Sequence, residues 1–144
     1  GRNYAWLTGE LGCRGVALTK GGDVEVREYI YDMADVMRAA DLVICRAGAA
    51  TIAEVAAAGK PAIFVPSPNV TDNHQEKNAR IIEERGAAVV LREAECSGEV
   101  LYEQARAILE DGERLNAMGH AAESMAVPDS AQRIMDIMME LIRK

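Results

Sequence analysis

Two short apolar runs constrain this chain more than any other feature: L-V-I-C at residues 42–45 and A-I-F-V at residues 62–65. Neither alternates with polar residues, so each reads as a strand buried on both faces. Between them, residues 51–58 read as a helix stopped by Gly59, with Pro61 opening the second strand. Strand, helix and doubly buried strand together predict an α/β fold, a Rossmann-like parallel sheet with right-handed crossovers and helices on both faces. The alternation continues downstream. After a polar loop at 66–73 a helix runs to about residue 85 with Gly86 as its stop, and A-A-V-V-L at 87–91 is a further strand. Upstream, residues 31–40 place Met33, Val36, Met37 and Ala40 on one helical face, and residues 23–30 alternate like a strand. Residues 98–144 read as C-terminal helices in two or three pieces, punctuated by Gly112 and Pro128, with Asp129 or Ser130 as cap of the last.

At 144 residues the chain has room for one domain with a sizeable core. Its 24 alanines against 4% aromatics suit close helix–sheet packing better than a large-pocket barrel. A net charge of −7 argues against nucleic acid or an anionic lipid surface as a partner of the whole face. Cys13, Cys45 and Cys96 lack C-x-x-C spacing, and only His74 and His120 accompany them. A zinc site or disulfide framework is therefore not expected, nor is any cofactor. No apolar run approaches the length of a membrane span, and nothing reads as a signal peptide. Residues 1–22 are atypical: 3–11 reads as helical and 15–19 as a weak strand, without the strong opening strand and glycine-rich turn of a doubly wound domain. With Gly1 rather than Met at its start, the chain reads as a single domain truncated at its N-terminus.

Three segments carry candidate chemistry. In C-R-A-G-A-A-T-I-A-E (45–54) a buried strand gives way to small residues and a helix start. Free amides and the positive end of the helix dipole there suit a phosphate, and Gly48, Ala49 and Ala50 leave room for it. Glu54 then suits a vicinal diol such as a ribose 2′,3′ pair, but Thr51-x-x-Glu54 is equally the pattern of a capping box. The loop P-S-P-N-V-T-D-N-H-Q-E-K-N (66–78) follows a strand at the carboxyl edge, where such sheets bind ligands. Asp72, His74, Gln75 and Asn78 suit sugar hydroxyls; alternatively the loop is solvated and Asp72 caps the helix. In E-Y-I-Y-D-M (28–33) backbone amides suit a planar base, with Ile30 and Met33 either beside it or in the core. Cys45 reads as an inert core thiol. Arg46 sits at the strand mouth, facing a phosphate or a neighbouring carboxylate.

Four blocks in order, Y-I-Y-D-M (29–33), A-D-L-V-I-C-R-A-G-A-A-T-I-A-E (40–54), A-A-A-G-K-P-A-I-F-V-P (56–66) and D-N-H-Q-E-K-N-A (72–79), resemble the donor-binding half of the MurG family. These GT-B glycosyltransferases add N-acetylglucosamine from UDP-N-acetylglucosamine to undecaprenyl-linked muramyl-pentapeptide in peptidoglycan synthesis, at the cytoplasmic face of the cell membrane. The likeness runs from about residue 24 to the C-terminus. It implies that the Ile30 backbone recognises uracil, that Gly48, Ala49, Ala50 and Thr51 hold the diphosphate and part of the sugar, and that Glu54 holds the ribose. His74 and Gln75 fall where many members carry a Gln pair on the N-acetylglucosamine, so His74 departs from the pattern. The family's acceptor-binding domain, with the G-G-T-G-G-H segment that supplies its catalytic base, and the donor domain's G-G-S-x-G loop have no counterpart here. No catalytic residue is therefore assigned, and the lipid-linked acceptor is expected to bind through the missing N-terminal domain. The competing readings are a non-catalytic donor-binding subunit that works with a separate acceptor chain, and a nucleotide-sugar epimerase of the same architecture. Loss of the opening strands also predicts self-association through an exposed sheet edge.

Overall fold

The computed structural model describes residues 5–6 and 29–143. Four strands, β1 (Ala5–Trp6), β2 (Val43–Cys45), β3 (Ala62–Phe64) and β4 (Ala88–Val90), form one parallel sheet in the order β1-β2-β3-β4. Between and after them lie α1 (Met33–Ala39), α2 (Ala49–Ala57), α3 (His74–Glu84), α4 (Gly98–Glu110), α5 (Gly112–Ser124) and α6 (Ser130–Ile142). The register aligns Val43 with Ala62 and Cys45 with Phe64, so β2 and β3 end side by side.

Side chains leave a strand alternately up and down, and here both directions are buried. Val43, Cys45, Ala62, Phe64, Ala88 and Val90 face one way, into a core shared with Met37 of α1, Val55 of α2 and Ala79 of α3. Leu42, Ile44 and Ile63 face the other way, onto Ile108 and Leu109 of α4 and Met118 of α5. Helices thus cover both faces, as the unbroken apolar runs require. Ala79 is fully buried on α3, and its small side chain lets that helix settle directly onto the strands. At the far end, α5 packs against the turn after α2. A Cβ on Gly119 would lie 3.1 Å from the carbonyl oxygen of Gly59, so this approach needs a residue without a side chain. Gly59 and Gly86 both stop helices at positive φ, +61° and +76°.

Several expectations need correction. The helix expected over 3–11 is a strand at its two described residues, because Ala5 and Trp6 pair with Val43 and Ile44. The open edge of β2 offers backbone partners, and that tertiary pairing overrides local helix propensity. Of the strand expected over 23–30, the described Tyr29 and Ile30 are irregular, and the rest lies outside the described residues, as does the weak strand at 15–19. α2 begins two residues before Thr51, because Ala49 and Ala50 are strong helix formers and extend it back to Gly48.

Candidate functional site

The carboxyl edge of the sheet gathers the ends of β2 and β3 and the starts of α2 and α3. Gly48 is the N-cap of α2, and the first intrahelical bond is from the Ile52 amide to the Gly48 carbonyl at 2.9 Å. The amides of Ala49, Ala50 and Thr51 therefore have no partner within the helix and point outward with the positive end of its dipole. Ala49 and Ala50 are exposed, and nothing bulky stands over them. Gly48 itself has φ −66° and ψ 146°, open to any residue, and an added Cβ would meet only Thr51 Oγ1 at 3.7 Å. The fold does not need glycine here, and without a side chain at 48 the approach to the amides is less obstructed.

With Gly48 as N-cap, Thr51 lies inside the helix and Glu54 is its sixth residue. A capping box requires the hydroxyl residue at the N-cap and the acid three positions on, so that reading of Thr51 and Glu54 is overturned. Glu54 is exposed, and its charge lies close enough to act on Cys45. Burial first, and the Glu54 carboxylate second, push the Cys45 thiol up to about 12. Cys45 thus stays protonated at neutral pH and is an unreactive core residue.

The loop after β3 is held by its own polar groups. The Gln75 side-chain oxygen accepts from the Ser67 amide at 3.0 Å, leaving the Gln75 NH₂ group as a donor. Asp72 and Asn73 adopt left-handed backbone, φ 54° and 52°, in a 3-10 turn spanning Thr71–Asn73. Asn73, not Asp72, occupies the N-cap of α3, and the expected Asp72 cap is corrected accordingly. Such a turn favours Asn and Asp, whose short polar side chains tolerate this region. His74 Nδ1 lies 2.8 Å from the Thr71 carbonyl oxygen. A carbonyl only accepts, so Nδ1 donates to it, and Nε2 is the other ring nitrogen of an exposed side chain.

Arg46 does not face solvent as an open phosphate ligand. Its Nη1 donates to the Val65 carbonyl at 3.1 Å, to the Pro66 carbonyl at 3.3 Å and to Glu93 Oε2 at 2.5 Å. Glu93 was not among the residues singled out from the sequence, and neither were Arg92 and Glu76, which pair at 2.8 Å. The Asn73 amide and then Arg92 hold the Glu76 carboxyl below the usual carboxylate range. No local spacing announces partners so far apart in the chain.

The structure therefore brings together Arg46, Gly48, Ala49, Ala50, Thr51 and Glu54 on one βα unit, with His74 and Gln75 on the next. An apolar groove of about 200 Å³ joins the two helices, lined by Ala49 and Ile52 from α2 and Asn78, Ile81 and Ile82 from α3. Ile30 lies ahead of α1, half-buried against the core cluster of Met37, so what the structure gives its side chain is packing. Among the described residues, no three His, Cys, Asp or Glu side chains could hold a metal ion.

Residues 10–134 match the glycosyltransferase family 28 C-terminal domain. The chain belongs to that family. Over 125 residues it is 48% identical to the UDP-N-acetylglucosamine--N-acetylmuramyl-(pentapeptide) pyrophosphoryl-undecaprenol N-acetylglucosamine transferase of Geobacter sulfurreducens, covering 87% of this chain and 34% of that protein. The protein of the same name from Acetivibrio thermocellus is 43% identical over 124 residues, 86% of this chain and 34% of that one. The chain thus spans about a third of the length of these relatives. Among solved structures it is similar to Acinetobacter baumannii MurG, with a TM-score of 0.74 and 39% identity over 81% of this chain and 33% of that one. The glycosyltransferase VinC, at 23% identity and a TM-score of 0.51, shares the fold. The family 28 domain is thus an α/β, Rossmann-like unit.

Proposed function

We propose that this chain is the donor-binding part of an inverting transferase that moves N-acetylglucosamine from UDP-N-acetylglucosamine to a lipid-linked muramyl-pentapeptide. The observation that carries the reading is the start of α2: three outward amides, capped by a glycine that the backbone does not require, in a chain of this family. In the reaction, an acceptor hydroxyl attacks the sugar C1 and the UDP diphosphate departs with the bonding pair. Amides preset on that developing charge contribute a few kcal/mol at a water-poor site.

Each residue takes a role. The amides at Gly48, Ala49, Ala50 and Thr51 hold the diphosphate and part of the sugar; Glu54 accepts from the ribose diol; the Ile30 backbone meets uracil. His74 Nε2 accepts from a sugar hydroxyl, and the Gln75 NH₂ group donates to one. No residue of this chain is assigned as the catalytic base. The acceptor binds a further domain, to which this chain is the donor-binding partner. The relatives' names include an undecaprenol-linked substrate. Among the described residues no helix is long and apolar enough to cross a membrane. The lipid-linked acceptor places the whole enzyme at the cytoplasmic face of the membrane in this reading.

The test is a transfer assay with a full-length protein carrying this sequence, UDP-N-acetylglucosamine and a lipid-linked muramyl-pentapeptide. Transfer is expected with the native sequence, and Gly48→Val is expected to lower donor kcat/KM at least about tenfold, through side-chain bulk over the amides. A Gly48→Val protein that is folded and fully active would overturn the assignment of the α2 start.

A further inference from the structure

The dipeptide Arg92-Glu93 grips both ends of the loop between β3 and α3, and it does so through different partners. At the near end Glu93 pairs with Arg46 at 2.5 Å, and the same Arg46 nitrogen donates to the Val65 and Pro66 carbonyls where β3 runs out. At the far end Arg92 Nε donates to Glu76 at 2.8 Å, and Glu76 in turn accepts from Asn73 Nδ2 at 2.7 Å in the left-handed turn. Between the two anchors, Gln75 holds the Ser67 amide. Val65 is 1% exposed and Pro66 is buried, so their carbonyls lie away from bulk water at the mouth of β3. The Arg46 side chain is 21% exposed, with its charge already matched by a carboxylate. An anion taken up at that nitrogen would displace the carboxylate and uncover two carbonyls.

We propose that Arg46 and Glu93 are a positioning pair for the sugar end of the donor: they fix the loop at 66–73 and with it His74 and Gln75, and Arg46 is not a diphosphate ligand. This rests on the donor-binding reading above. The diphosphate and ribose contacts proposed above lie on α2 and the uracil contact ahead of α1, all outside the clamp, so loosening it separates sugar recognition from nucleotide recognition. A lysine at 46 keeps the charge but not the guanidinium's shape or reach, so it restores the clamp only in part.

The test compares Arg46→Gln, Arg46→Lys, Glu93→Gln and the double variant Arg46→Gln/Glu93→Gln with the native sequence in the full-length protein. Four quantities are read: KM for UDP-N-acetylglucosamine, Ki for UDP alone, melting temperature, and hydrogen exchange of the amides at 67–73. The single variants are expected to raise donor KM roughly tenfold, with UDP Ki within about twofold of native. The loop is expected to exchange faster in each of them. Arg46→Lys falls between native and Arg46→Gln, and the double variant is no worse than Arg46→Gln alone, because one clamp is lost only once. Parallel rises in KM and UDP Ki would make Arg46 a phosphate ligand and overturn the proposal. Unchanged loop exchange in Glu93→Gln, an exposed and foldable change, would overturn it as well. If the native protein does not use UDP-N-acetylglucosamine, the donor reading fails by itself, and loop exchange still decides whether the clamp exists.

Discussion

Glu54 shows how far single residues can be read. Thr51-x-x-Glu54 fits a capping box in the sequence, and only the position of Gly48 as N-cap removes that role. The role proposed for this exposed carboxylate beside the α2 start is to hold the ribose. A carboxylate accepts two hydrogen bonds from a diol, where an amide accepts at one atom. Glu54→Gln is therefore expected to leave the denaturation midpoint within about 0.5 kcal/mol of native. Donor kcat/KM in the full-length protein should fall by roughly 1.5–3 kcal/mol, the worth of a charge-assisted hydrogen bond. Lost stability with unchanged donor kinetics would return Glu54 to a structural role. Gly48, Ala49 and Ala50 were legible as a clear approach to amides because small residues after a buried strand admit few other uses. Arg46 was not settled: a phosphate and a carboxylate are equivalent partners in a sequence, and Glu93 is joined to it only by folding.

At the scale of elements, the middle of the chain and its C-terminal helices were legible, and the described residues near its start were not. β2, β3 and β4 fall inside the apolar runs at 42–45, 62–65 and 87–91, because burial on both faces leaves a signal that no helix face imitates. β1 has two residues, too few for any pattern, and its existence depends on the edge of β2. α6 is the opposite case. Its 3.6-residue pattern is plain, yet no residue from Ser130 to Ile142 is buried, and Ile134, Met135, Ile137, Met138, Leu141 and Ile142 are all exposed. Helical stability comes mainly from burying such a face. In the 144-residue chain the α6 amides are thus expected to exchange far faster than those of β2 and β3, as measured by hydrogen exchange with mass spectrometry. Protection of residues 130–142 equal to that of the strands would contradict this.

For the whole molecule, the parallel order of the strands collects at one edge the residues 48–54, His74 and Gln75 proposed to touch the donor, so this part of the site follows from the topology. The same topology leaves a weak point: among the described residues, β1 covers the flank of β2 with Ala5 and Trp6. Self-association through that edge is expected of the isolated chain, and sedimentation at increasing concentration should show a rise in mass; a monomer throughout would refute it. The account stands most directly on the α2 start as the seat of the diphosphate. The decisive measurement is an amide-resolved NMR titration of the full-length protein with UDP-N-acetylglucosamine and with UDP. The amides of Ala49, Ala50 and Thr51 are expected to shift strongly with both ligands, while His74 and Gln75 respond to the sugar nucleotide alone. Saturable binding that leaves the amides of residues 48–51 unmoved would contradict the account.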